Sequence, residues 1–138
     1  MTRPWEGCRA FLLGGGRSLS SFHLDSLPAK GKVVAINRSF QLAPFADLFY
    51  WADSRFYRWF KSEIDDFVGE KVTGSHDGDY PADVRRVRWD RTSPFSADPD
   101  QVAGQCSGAH ALNLVALLGC TEIWLRSEER RVGKECLR

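Results

Sequence analysis

The chain has no long apolar run, no CxxC pair, no paired histidines and no surplus of basic residues. Each absence removes a class of function. The N-terminus MTRPWEGCRAF lacks the apolar core of a secretory signal, and the longest apolar run, Ala111 to Cys120, is interrupted by Asn113 and too short to span a bilayer. The expected setting is therefore the cytoplasm, with no membrane partner. Four cysteines, three once Cys136 is set aside, with no CxxC and no nearby paired histidines fit neither a disulfide framework nor a zinc site. Nineteen basic against 18 acidic residues give a formal net charge of +1, not the basic excess that nucleic-acid binding calls for. What remains is 43% hydrophobic and 12% aromatic, the composition of one domain with one core.

The segment Arg126 to Cys136, RSEERRVGKEC, back-translates residue for residue into a sequence that resembles the adapter ligated to short-read sequencing libraries. Residues 126–138 are thus expected to be an adapter-encoded tail, and 1–125 a truncated domain. Without the tail, 19 − 5 basic and 18 − 3 acidic residues leave 14 and 15, a net charge of −1.

The most informative stretch is RAFLLGGGRSL, residues 9–19, where a short apolar strand ends in Gly14, Gly15 and Gly16, then Arg17 and Ser18. A strand feeding a glycine turn that opens a helix aims backbone N–H groups and the positive end of a helix dipole at one spot, which suits a phosphate. Leu19, Phe22, Leu24 and Leu27 continue with helical spacing to Pro28, and KVVAI, residues 32–36, reads as a second strand. Strand, glycine turn, helix and strand make a βαβ unit and imply a parallel sheet.

Asn37, Arg38 and Ser39 stand at the carboxyl end of that second strand, where open α/β sheets place ligand contacts; the alternative is that Asn37 caps a turn and Ser39 starts a short helix. ADLFYWA, residues 46–52, reads as a third strand. Asp53 then N-caps a helix whose Phe56, Trp59, Phe60, Ile64 and Phe67 form one apolar face; Asp53 is also placed to touch a ribose hydroxyl or a metal. GEKVTG, residues 69–74, is a short strand. His76, Asp77 and Asp79 follow in a polar loop that turn chemistry explains as well as a metal does, and no metal is expected.

Residues 84–89, VRRVRW, read as one strand, and Arg85, Arg86, Arg88 and Arg91 form the main basic cluster, either phosphate-binding or a solvated edge. Residues 92–105 read as a loop. Residues 106–118 give a helix with Ala111, Leu114, Val115 and Leu118 on one face, ended by Gly119 and followed by a strand at 121–125. Ser107 and Gly108 thus open a second phosphate-facing helix, with His110 expected either in the same cleft or on the helix surface.

The set GGGRSL at 14–19, Asn37 after VVAI, ADLFYWAD at 46–53 and SGAHALNLVALLGCTEIWL at 107–125 resembles a nucleotide-binding superfamily. It includes the 6-hydroxymethylpterin diphosphokinase (MptE-like) proteins, phage-encoded relatives and bacterial sialyltransferases. The resemblance implies an α/β Rossmann-like, mostly parallel sheet with helices on both faces, incomplete at the C-terminus. It also implies a nucleotide or nucleotide-sugar ligand held by Gly14, Gly16 and Ser18 in the first turn, Asn37 after the second strand, and Ser107 and Gly108 in the second turn. Arg17 stands where the family has proline, which removes some pre-organisation and adds a cation. The resemblance implies no separate cofactor. It implies a transferase parent, of glycosyl or diphosphoryl groups, whose catalytic residues lay beyond the truncation; the alternative is a non-catalytic nucleotide sensor or structural module.

Overall fold

The computed structural model describes residues 3–14, 24–75 and 77–126. Six strands form one sheet: β1 (Arg9–Leu13), β2 (Lys32–Ile36), β3 (Leu48–Trp51), β4 (Glu70–Thr73), β5 (Val84–Arg86) and β8 (Glu122–Arg126). Their order is β5-β4-β3-β2-β1-β8, and every pairing is parallel. Between them lie the helices α1 (Ser54–Trp59), α2 (Lys61–Asp65) and α3 (Ser107–Leu117), and a separate two-stranded parallel ribbon of β6 (Arg88–Asp90) and β7 (Gln101–Ala103). This is a three-layer α/β sheet of Rossmann-like type.

Burial on both faces explains why the central strands read as unbroken apolar runs. In β3 all four side chains, Leu48, Phe49, Tyr50 and Trp51, are completely buried. Odd-numbered β1 and β3 residues, with Val33 and Ala35, face a core closed by α1, α2 and two 3-10 turns; the even-numbered ones face α3 and the ribbon. Among the described strands, β8, at the sheet edge, leaves large apolar side chains in the open, Trp124 and Leu125.

Several expected elements differ. Residues 24–27, expected to end a helix at Pro28, lie in a 3-10 helix, Leu24–Ala29, that includes Pro28. The helix expected after Asp53 is two short ones, broken at Phe60 (φ −122°, ψ 26°). The break resets the helical phase, so Trp59 turns outward to 69% exposure while Phe56, Ile64 and Phe67 stay in the core. The strand expected over 84–89 divides at the buried Val87: its first half continues the sheet and its second pairs with β7, which runs through the expected loop of residues 92–105. Arg126, assigned by sequence to the tail, is the last residue of β8, opposite Leu13 in the register. Residues 127–138, with the rest of the expected tail, lie outside the described residues.

Candidate functional site

The chain runs from β1 through β2 and β3 to β5 in one direction across the sheet, then returns through α3 to β8 on the other side of β1. The switch point falls between β1 and β8, and in open α/β sheets the crevice outside the strand carboxyl ends at such a point is where ligands bind. Gly14 follows β1 there, and its N–H donates to the Arg126 carbonyl at 2.9 Å. Gly15, Gly16, Arg17 and Ser18, and His76 in the other loop, lie outside the described residues.

The second turn belongs to the same edge. The carboxyl end of α3 meets the chain just before β1, where the Trp5 N–H donates to the Leu118 carbonyl at 2.9 Å and the Gly7 N–H to the Gly119 carbonyl at 3.0 Å. Helix α3 therefore starts at the carboxyl edge, with Ser107 and Gly108 in its first turn. Cys106 occupies the N-cap and makes no side-chain capping bond. The initial backbone donors of a helix have no intrahelical acceptors, so this end suits an anion.

A buried clamp fixes that turn. His110, 1% exposed, sits beneath the helix start, neither in an open cleft nor on the helix surface. Its Nε2 lies 3.1 Å from the Gly104 carbonyl and its Nδ1 2.8 Å from the Tyr50 hydroxyl. A carbonyl only accepts, so Nε2 carries the proton and Nδ1 accepts from Tyr50. Burial holds the imidazole below the ordinary histidine range, with the Arg91 charge adding to the effect. Burial likewise raises the Tyr50 phenol far above its usual value. Trp89 closes the clamp: its ring meets His110 edge-on at 4.7 Å and its indole N–H donates to the Gly104 carbonyl at 2.9 Å. Gly104 itself has φ +117°, and a Cβ there would stand 2.5 Å from that of Ala109, so a larger residue would push the turn away from the helix.

At the end of β2, Asn37 adopts φ 55°, a left-handed conformation that asparagine tolerates, and opens a 3-10 turn (Asn37–Gln41). Its backbone role is thus a turn, and its half-exposed side chain stands at the carboxyl edge. Ser39, expected either as a ligand contact or as the start of a short helix, is 2% exposed. Its Oγ accepts from the Ile36 N–H at 2.8 Å and donates to the Leu13 carbonyl at 2.7 Å, tying the ends of β2 and β1 together. Ser39→Ala should cost about 1–3 kcal/mol, because two buried backbone groups lose their partner, and denaturant unfolding should show it as a lower midpoint with unchanged slope.

Asp53 N-caps α1, accepting from the Arg55 N–H at 2.9 Å, and pairs with the Arg55 guanidinium at 2.8 Å. That side-chain contact holds its carboxyl below the ordinary range. The chain matches no protein-family model, no curated protein and no solved structure.

The arginines of the basic cluster separate once their partners are visible. Arg85 bonds Asp100 (3.1 Å) and the Pro99 carbonyl (2.7 Å), Arg88 pairs with Asp98, and Arg86 donates to the Gly78 carbonyl while lying over the Tyr80 ring. These residues lock the ribbon and its loops. Arg91 instead stacks over Trp89 at 3.8 Å, on the outside of the clamp that holds the α3 start. Among the described residues no three His, Cys, Asp or Glu side chains are grouped to hold a metal, and no helix is long and apolar enough to cross a membrane. Cys8, Cys106 and Cys120 are free thiols, and burial pushes Cys120 up to about 11.

Proposed function

We propose that this domain binds the phosphates of a nucleotide or nucleotide-sugar at the carboxyl edge of its sheet, as the binding unit of a transferase. The observation that carries the reading is topological: Gly14, directly after β1, and the uncapped start of α3, more than ninety positions apart in sequence, belong to one edge at the switch point of the sheet. The unpaired backbone donors and dipole of α3 at that edge favour phosphate oxygens, and Arg91 adds a cation stacked on the adjoining clamp. Glycosyl transfer from a sugar nucleotide and diphosphoryl transfer from ATP both require phosphates anchored in this way.

The test is a thermal-shift titration of the chain with nucleoside di- and triphosphates and cytidine sugar nucleotides. A ligand that binds only the folded state raises the melting temperature with concentration. Gly16→Val should abolish the shift, since a branched side chain would fill space a phosphate needs, whereas His76→Ala should preserve it. Asn37→Gly keeps the backbone conformation and removes only the side chain, so a shift weakened in that variant marks a ligand contact. A panel with no shift for any member would reject the reading and leave a structural module.

A further inference from the structure

A second concave site lies farther along the same edge, beyond β3. Ser54, Tyr57, Arg58 and Lys61 from α1 and α2, with Gly78 and Tyr80 from the loop after β4, enclose a groove of about 250 Å³; Asp79 stands on its rim. Its walls are the rings of Tyr57 and Tyr80, whose centroids are 4.9 Å apart and nearly perpendicular. Beneath them is Trp51, fully buried, stacked on Tyr57 at 5.9 Å and edge-on to Tyr80 at 5.7 Å.

Two polar groups in this aromatic cluster are shielded from water and have no hydrogen-bond partner among the described residues: the Trp51 indole Nε1 and the Tyr80 hydroxyl. Buried groups of this kind are rare because each forfeits its bonds to water. Indole N–H is only a donor and phenol O–H donates readily, so both lack an acceptor. The charges nearby are mixed. Lys61 is bonded to Asp65 at 2.6 Å and lies over the Tyr57 ring, so the exposed Arg58 is the leading cation at the groove, beside the carboxylate of Asp79.

We infer that this groove is a separate binding site for a small molecule carrying one oxyanion, carboxylate or phosphate, on a planar apolar body. The ring walls take the flat body, Arg58 takes the charge with Lys61 adding to the local field, and a small movement of the 77–80 loop brings a ligand oxygen to the two unpartnered donors. The inference does not depend on nucleotide binding, and it supplies the place where an acceptor would sit if the domain serves a transferase.

The test uses the whole chain with phenyl phosphate and benzoate as probes, phenol and inorganic phosphate as controls, followed by NMR or calorimetric titration. Saturable binding of at least one aromatic anion, tighter than phenol or inorganic phosphate alone, is expected, and the preferred anion identifies the head group. Arg58→Gln/Lys61→Gln should weaken it about ten-fold, and Asp79→Asn should strengthen it. Tyr80→Phe should leave the melting temperature unchanged or higher, since it removes an unpartnered hydroxyl, yet weaken the anion by about ten-fold. Absence of saturable binding by both aromatic anions overturns the inference. So does binding that none of these substitutions alters.

Discussion

Asn113→Leu is expected to destabilise the domain by about 3–5 kcal/mol, a large part of the stability of an ordinary domain, although leucine repeats the branched heavy-atom skeleton of asparagine and suits an apolar helix. The reason is the work of one side chain. Asn113 is 2% exposed, its Oδ1 accepts from the Ser96 N–H at 2.8 Å and the Ala103 N–H at 3.0 Å, and its Nδ2 donates to the Ser96 carbonyl at 3.0 Å. Leucine would leave three buried backbone groups without partners, and the added apolar contact does not offset that. The segment from Ser96 to β7 would detach from α3 first. Hydrogen exchange should therefore show lost protection at Ser96 and Ala103 before the main sheet opens. A variant with the denaturation midpoint of the parent would refute this account.

His110→Phe is expected to cost about 2–3 kcal/mol at neutral pH, since the buried Tyr50 hydroxyl and one bond to the Gly104 carbonyl lose their partner. Adding Tyr50→Phe should recover part of the loss, because removing both partners is cheaper than removing one. The parent should also depend on pH in a definite direction. Burial lowers the folded-state pKa of His110, so between that value and the ordinary value of about 6.5 the unfolded chain binds the extra proton. The contribution of the neutral imidazole is fully present above about 6.5 and is lost as pH falls toward the folded-state value. The double variant should lack this component. Denaturant midpoints measured from pH 8 to 5 give the comparison, and parallel slopes for parent and double variant would contradict it.

His110 and Asn113 hold roles that no local pattern encodes. Helix α3 was legible from the apolar spacing of Ala111, Leu114 and Val115 and from Gly119 at its end, yet the same periodicity treats a polar residue as exposed or as an interruption. Both polar side chains are buried because their partners, Tyr50, Gly104, Ser96 and Ala103, come from elements whose approach no local pattern records. Ser39 has the same history: its hydroxyl reaches the Leu13 carbonyl, 26 positions away.

The central strands, the N-cap at Asp53, the parallel sheet and the α/β class were legible in the residues themselves. Those follow from the backbone preferences of β-branched and aromatic runs, from glycine turns and from short-range capping, all of which are encoded within a few residues. Long-range packing divides 84–89 between two sheets at Val87, turns Trp59 to solvent through a break at Phe60, and binds Arg85, Arg86 and Arg88 internally while Arg91 stacks outside the clamp at the start of α3. The physical reason is the range of the interactions: a turn is settled by its own residues, whereas the partner of a buried polar group or a surface arginine is settled by which segments the fold brings within about 3 Å of it.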